Sequence, residues 1–100
     1  MPYSIFYFDE VELDIKEARS WYKLKDATVE NRFLLAIENT IIKLQDFQKA
    51  YSVRSKNIRI AHTPIFPFSI HFYIDDINER IVIIATKHGR RSQSIVKKRL

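Results

Sequence analysis

The chain has 100 residues, of which 46% are apolar and 29% charged, with one glycine and three prolines. These values predict one small globular domain over residues 1–100 and exclude collagen-like, linker-like and low-complexity chains. The chain has no cysteine, which excludes disulfide frameworks and thiolate metal sites and fits a reducing compartment, so we expect a cytoplasmic location. No apolar run approaches the roughly 20 residues of a transmembrane helix, and we expect no membrane partner.

Charge is divided unevenly along the chain. Residues 1–50 carry a formal net charge of −2, whereas residues 51–100 carry +7. The last fourteen positions contain no acid and six basic residues, which are Lys87, Arg90, Arg91, Lys97, Lys98 and Arg99. Such a positive field favours an acidic partner, either nucleic acid or an acidic protein segment, and charge alone does not separate the two.

The first predicted elements are a strand and a helix. Residues 4–8 are short, aromatic and β-branched, which predicts a strand buried on both faces. Asp9 offers an N-cap oxygen, and Glu12 lies three residues further on as in a capping box, so a helix is expected to begin here. The apolar residues of this helix recur at helical spacing and form one stripe: Val11, Ile15, Ala18 and Tyr22.

A second helix and three strands are predicted from the rest of the chain. Residues 23–28 lack periodicity and predict a connection, after which an apolar stripe from Phe33 to about Phe47 predicts the second helix. Residues 48–57 are polar and predict an irregular connection. The three predicted strands are Ile58–His62, residues 66–75 and residues 79–86, with a hairpin turn at 75–79.

The resulting order, β-α-α-β-β-β, predicts a two-layer α+β fold. A helical hairpin buries its apolar stripes against one face of a sheet, which we expect to be mostly antiparallel and four-stranded.

Five short motifs occur within this predicted order of elements. Residues 14–18 read Asp-Ile-Lys-Glu-Ala, and the pair Trp21-Tyr22 closes the first predicted helix. Arg59 lies in the second predicted strand, Phe66-Pro67-Phe68 opens the third, and His88-Gly89-Arg90-Arg91 follows the fourth. Together they resemble the RelE/ParE superfamily of toxins from type II toxin–antitoxin modules over nearly the whole chain.

The resemblance implies a growth-arresting toxin that a cognate antitoxin neutralises, with no cofactor. It leaves the target open, because relatives divide between inhibiting DNA gyrase and cutting mRNA on the ribosome. We favour gyrase inhibition, since residues 88–91 look closer to that branch, and keep a ribosome-dependent mRNA endonuclease as the alternative. A third possibility is an inert member that retains only antitoxin binding, because Phe68 replaces a usual tyrosine and no proline follows Arg91. A homodimer and a heterotetramer with the antitoxin both remain open.

The candidate toxicity residues are His88, Arg90 and Arg91, because they follow a rigid apolar strand where basic charge is densest. Binding is expected from further basic residues, which are Lys56, Arg59, Lys87, Lys97, Lys98 and Arg99. In an endonuclease, His88 would serve as acid or base and the nearby cations would hold the phosphorane charge. Sequence spacing puts no tyrosine or carboxylate beside His88, so this chemistry stays open.

Each candidate also has a purely structural interpretation. His88 could satisfy backbone groups at a strand end, and Arg59 could pair with an acid such as Glu79 or an antitoxin residue. Trp21 and Tyr22, at the end of an apolar stripe, are typical of core or seam positions.

Two site types are not expected. His62, His71 and His88 lie on different predicted strands without ligand spacing, so no metal site is predicted. Gly89 is the only glycine, which excludes a glycine-rich phosphate loop.

Overall fold

The computed structural model describes residues 2–89. The strands in this range are β1 (Ser4–Tyr7), β2 (Val53–Ser55), β3 (Ile58–His62), β4 (Phe68–Asp75) and β5 (Arg80–His88). The helices are α1 (Asp9–Lys25), α2 (Ala27–Phe47) and a 3-10 turn at Gln48–Ala50.

The strands form one mixed sheet beneath the helical hairpin. The strand order is β1-β5-β4-β3-β2, in which β1 runs parallel to β5 and the other neighbours are antiparallel. The predicted α+β architecture is therefore confirmed. The sheet has one strand more than predicted, because the polar segment 48–57 contains the short, exposed β2, which has no apolar pattern to reveal it.

The position of β1 differs from the prediction. A strand buried on both faces was expected from residues 4–8, yet β1 lies at the edge of the sheet, where Phe6 and Tyr7 are 50% and 53% exposed. An edge strand pairs on one side only, so aromatic composition alone did not establish burial.

The observed helix boundaries differ from the predicted ones at the start of α1 and between the two helices. Asp9 is the first residue of α1 and not its cap; the N-cap is Phe8, whose side chain has no hydrogen-bonding group. Asp9 still places negative charge at the positive end of the helix dipole. The expected connection at residues 23–28 shrinks to Asp26, whose carboxylate accepts from the backbone N–H of Thr28 at 2.6 Å and caps α2.

The main core lies between the helices and one face of the sheet. Its helical members are Val11, Ala18, Tyr22, Phe33, Ile37 and Leu44, and its strand members are Ala61, Phe68, Ile70, Phe72, Ile81 and Ile83. A second cluster lies on the opposite face and contains Ile58, Val82, Ile84 and Ala85.

A β-bulge in β5 determines which residues reach the main core. Phe72 of β4 lies opposite Ile83, but the preceding residue, His71, lies opposite Ala85, so Ile84 is an extra residue. Beyond the bulge the side-chain alternation is shifted by one position. Thr86 and His88 consequently lie opposite Ile70 and Phe68, on the helical face of the sheet.

The core predicts a large effect of truncation at Ile83, which is 2% exposed. We expect Ile83→Ala to lower the free energy of unfolding by roughly 2–5 kcal/mol, because it leaves a cavity between α1 and the sheet. Urea denaturation measures the change. Ile77→Ala, at a turn residue that is 94% exposed, is the matched control and should stay within about 0.5 kcal/mol of the parent. Equal effects of the two substitutions would contradict this packing.

His71 predicts loss of stability in acid. The side chain is 1% exposed, and burial, with smaller contributions from the charges of Lys87 and His62, lowers its pKa to about 4. The unfolded chain, with an ordinary histidine pKa, takes up the proton first, so stability falls as pH drops from about 6.5 towards 4, by up to about 3 kcal/mol.

Unfolding midpoints measured across this pH range test the expectation. His71→Gln should remove most of this pH dependence. His62→Gln, at an exposed position on the neighbouring strand β3, is the control and should retain it. An unchanged pH dependence in His71→Gln would show that another group is responsible.

Candidate functional site

His88 ends β5 and meets the last turns of α1. The hydroxyl of Tyr22 lies 2.8 Å from Nε2 of His88, within hydrogen-bond distance. The imidazole also packs against the rings of Trp21 and Tyr22, each with a centroid separation of 5.1 Å. The contact joins residues 66 positions apart in the chain, and its geometry depends on the bulge that turns His88 towards the helices.

Tyr22 belongs both to the core and to this contact. It is 5% exposed and packs against Phe33 at 4.6 Å and Phe66 at 5.1 Å between ring centroids. Burial raises the pKa of the Tyr22 phenol above its ordinary value, so the group is protonated at neutral pH. It donates to Nε2 when His88 carries its proton on Nδ1, and it accepts from Nε2–H in the other tautomer.

A groove of about 230 Å³ opens beside His88, between α1 and the end of the sheet. Its lining includes Asp14, Glu17, Trp21, Phe68, Thr86 and His88. Trp21 is 48% exposed, and the ammonium group of Lys25 lies 4.9 Å from its ring centroid in a cation–π contact. An exposed aromatic ring beside a histidine and a cation suits recognition of another macromolecule.

Two of the sequence motifs meet at this end of the sheet. Phe68 lies opposite His88, and the backbone N–H of Gly89 donates to the carbonyl oxygen of Pro67 at 2.6 Å. Gly89 has φ +64°, a left-handed conformation that glycine adopts without a steric cost. The loop before β4 thus fixes Gly89 at the end of β5 through this hydrogen bond.

Arg59 does not form an ion pair with Glu79, one of the partners that its structural interpretation suggested. Its guanidinium donates to the backbone carbonyl oxygens of Tyr51 and Lys49, and within residues 2–89 it forms no ion pair. Lys49 lies in the 3-10 turn and Tyr51 directly after it, and both direct their carbonyl oxygens towards Arg59 in β3.

The described basic candidates are not gathered around His88. Arg59 lies opposite Phe72, which lies opposite Ile83, five residues before His88 in β5. At about 3.3 Å per residue the separation along the sheet is roughly 16 Å. Lys56 lies beyond Arg59, in the turn between β2 and β3.

Lys87 is adjacent to His88 in sequence but faces the other side of the sheet, where it lines a shallow groove with His62 and His71. The remaining candidates, Arg90, Arg91, Lys97, Lys98 and Arg99, lie outside the described residues.

The part of the chain that the structure describes contains no group of three or more His, Cys, Asp or Glu side chains placed to hold a metal ion. In the same range no helix is long and apolar enough to cross a membrane.

The contact between Tyr22 and His88 was missed by sequence reasoning. Tyr22 was correctly predicted as a core residue, but its helical spacing carries no information about its polar end. The sequence of β5 also predicts the wrong face for His88. Simple alternation from Ile81 and Ile83 places His88 on the face of the sheet away from the helices. No pattern within the strand itself reveals the extra residue at Ile84.

Comparison with solved structures defines the class of fold. The chain is similar to a protein of the chromosomal ParDE toxin–antitoxin system of P. aeruginosa, with TM-score 0.74 and 15% identity over 88% of this chain and 97% of that one. It is also similar to a chain of the RelBE2 toxin–antitoxin complex of Mycobacterium tuberculosis, with TM-score 0.65 and 16% identity over 91% and 95%. A chain of the intact E. coli RelBE complex gives TM-score 0.64 and 9% identity over 89% and 99%. These likenesses define a RelE/ParE-like fold.

The family is identified from the sequence. Residues 5–93 match the model of the ParE toxin of the type II toxin–antitoxin system parDE. The chain therefore belongs to the ParE toxin family, as the RelE/ParE resemblance predicted. No curated protein sequence gives a significant match.

The pairing of Tyr22 with His88 predicts a specific effect of Tyr22→Phe. Loss of the hydroxyl should lower the free energy of unfolding by about 0.5–1.5 kcal/mol and shift the Nε2 ¹⁵N resonance of His88. Tyr73→Phe, on the other face of the sheet, is the control and should leave that resonance unchanged. A His88 spectrum identical in Tyr22→Phe and the parent would show that the hydrogen bond is absent in solution.

Proposed function

We propose that this ParE-family protein is a toxin that acts in the cytoplasm by inhibiting DNA gyrase, and that a cognate antitoxin neutralises it. The observation that carries the proposal is the family match, which spans residues 5–93 and includes the whole His88 region. The toxic surface comprises His88 and the arginines that follow it, Arg90 and Arg91.

The fold supports a binding role for this region. Ile81, Ile83 and Ile84 are each at most 2% exposed and anchor β5 in the sheet. The backbone N–H of Gly89, the last described residue, donates to the carbonyl oxygen of Pro67 and holds the end of the strand in place. A rigid strand that presents a histidine beside an exposed aromatic side chain at its end is a common arrangement for recognising another macromolecule.

Three of the cations that could serve in mRNA cleavage, Lys56, Arg59 and Lys87, lie away from His88. Metal-free RNA cleavage requires a base, an acid and cations around one phosphate. Lys56 and Arg59 lie far along the sheet from His88, and Lys87 faces the other side. Within residues 2–89, the cations expected for cleavage therefore do not surround His88.

One observation favours the alternative, a ribosome-dependent mRNA endonuclease. Tyr22 and His88 form a hydrogen-bonded pair at 2.8 Å beside an open groove. A histidine paired with a phenol can hold and move a proton near neutral pH. Because of this pair, the endonuclease is the second candidate. An inert protein that retains only antitoxin binding is the third.

The charge of the chain supports an acidic antitoxin segment as partner. The net charge is +5, and residues 51–100 contribute +7. A segment that orders as it binds would neutralise this field while covering apolar surface. Solved relatives of this fold include toxin–antitoxin complexes of P. aeruginosa, M. tuberculosis and E. coli.

Two assays on the purified chain decide the target. We expect inhibition of supercoiling by purified DNA gyrase and intact mRNA in a translation extract analysed by primer extension. Primer-extension stops within translated mRNA, with supercoiling unaffected, would establish the endonuclease instead. No effect in either assay, together with retained antitoxin binding, would identify the inert member.

The toxic residues are tested by the double substitution Arg90→Ala and Arg91→Ala. It should abolish growth arrest and change the free energy of unfolding by only about 0.5 kcal/mol, because arginine side chains are rarely buried and surface substitutions usually have small effects. Arg32→Ala with Lys43→Ala, at two exposed positions on α2, removes the same charge and should remain toxic. A folded Arg90/Arg91 variant with full toxicity would place the active surface elsewhere, with the Lys56–Arg59 region the next to examine.

A further inference from the structure

The loop between β3 and β4 holds Ile65 in a strained backbone conformation. Ile65 has φ +73°, and the backbone N–H of Phe66 donates to the carbonyl oxygen of Pro64 at 2.8 Å. A hydrogen bond that closes three residues around a positive φ is the pattern of the classic γ-turn, which is rare and strained. A β-branched side chain is especially unfavourable at a positive φ, so isoleucine is an unexpected residue at this position.

Ile65 differs from the other residues that have a positive φ. The remaining non-glycine examples within residues 2–89 are Lys56, Asn57 and Glu79, which lie in the short turns that join β2 to β3 and β4 to β5. Tight hairpin turns commonly require such angles. Ile65 lies in a longer connection and is the only β-branched residue of the four. Backbone strain of this kind tends to occur at functional sites.

Hydrogen bonds and ring packing hold the loop in place on both sides of Ile65. The hydroxyl of Thr63 is buried and donates to the carbonyl oxygens of Phe66 at 3.2 Å and Phe68 at 3.1 Å. The ring of Phe66 packs against Tyr22 with a centroid separation of 5.1 Å. Ile65 itself is 83% exposed. The loop therefore presents one apolar side chain to solvent from a well-anchored base.

Two further apolar side chains are exposed at this end of the sheet. Leu24 and Trp21, in the last turns of α1, are 87% and 48% exposed, and both line the groove beside His88. The loop reaches this part of α1 through the packing of Phe66 on Tyr22. Large apolar side chains exposed together mark sites of protein–protein contact. We call this set the apolar rim, and its members are Trp21, Leu24 and Ile65.

The charges beside the apolar rim indicate the chemistry of its partner. Lys23 and Lys25 lie in the last turn of α1, and neither forms an ion pair within residues 2–89. Aliphatic side chains gain little from contact with a phosphate backbone, whereas an apolar pocket on a protein removes them from water. Acidic side chains around such a pocket would complement the two lysines.

We propose that the apolar rim docks this toxin onto its target protein, with Ile65 inserted into an apolar pocket that is bordered by acidic side chains. The inference rests on the proposed function, in which the target is DNA gyrase. It adds a protein-recognition surface to the toxicity residues named above. Because the γ-turn already fixes the direction of the Ile65 side chain, little conformational freedom is lost on binding.

Substitution of Ile65 by asparagine tests the anchor. Asparagine tolerates a positive φ and is polar, so Ile65→Asn keeps the turn and removes the apolar group. We expect it to raise the concentration needed for half inhibition of gyrase supercoiling by at least about tenfold. Ile77→Asn is the matched control, at a turn residue that is 94% exposed and lacks a positive φ. It should change this concentration by less than about twofold.

Thermal unfolding of the same two variants tests the strain. Ile65→Asn should raise the Tm of the free chain by about 2–6 °C, because asparagine relieves the left-handed conformation. Ile77→Asn should leave the Tm within about 2 °C of the parent. Weaker inhibition together with a higher Tm separates docking from folding, since a purely structural residue would lower both. A lower Tm in Ile65→Asn would show that Ile65 stabilises the loop and would contradict its role as an anchor.

A second pair of variants tests the helical part of the apolar rim. Leu24→Gln retains a residue of good helix propensity, and it should weaken gyrase inhibition by at least about fivefold. Leu35→Gln, at a position of α2 that is 56% exposed, is the control and should weaken it by less than about twofold. Equal effects of these two substitutions would contradict a docking role for Leu24.

Four results would overturn the proposal in distinguishable ways. Equal inhibition by Ile65→Asn and the parent would refute the apolar rim and leave gyrase inhibition intact. Cleavage of translated mRNA by the parent, without inhibition of gyrase, would refute the proposed target. An equal loss of affinity for the acidic protein encoded beside the gene would assign the apolar rim to the antitoxin. Self-association of the parent in sedimentation experiments, abolished in Ile65→Asn, would assign it to a second copy of the chain.

Discussion

A single extra residue in β5 determines which face of the sheet the end of that strand presents to the helices. Because Ile84 is inserted between the partners of Phe72 and His71, the strand presents Ile81 and Ile83 to the helices before the bulge and Thr86 and His88 after it. With regular pairing, the side chain of His88 would point away from α1. The bulge therefore joins the core of the sheet to the candidate site at its end.

That arrangement makes the site depend on the core that supports it. Tyr22 packs against Phe33 and Phe66 and presents its hydroxyl to His88, so the imidazole is held by a side chain whose own position is determined by packing. Beside β1, the helices leave a groove open between themselves and the sheet. Thr86, which the bulge also turns towards the helices, lines this groove. The bulge in β5 thus places His88 at the candidate site and Thr86 at the groove beside β1.

Much of the fold was predictable because it follows from local patterns of apolar residues in the sequence. The stripes at Val11, Ile15 and Ala18 and at Phe33 and Ile37 predicted both helices, and the alternation of residues 66–75 predicted β4. The errors arose where pairing partners decide the outcome: β1 has the composition of a buried strand but lies at an edge, and β2 is too short and polar to be recognised. Membership of the ParE family was predictable from motifs, whereas the pairing of Tyr22 with His88 depends on register across 66 residues.

The side of the sheet that His88 occupies is the central claim, and a NOESY spectrum of the free chain tests it most directly. We predict cross-peaks between the imidazole protons of His88 and the ring protons of Tyr22 and Trp21, whose ring centroids lie 5.1 Å away. Cross-peaks from His88 to Ser69, on the other face of the sheet, with none to the α1 aromatics, would show that β5 is not bulged and would contradict this arrangement of the site.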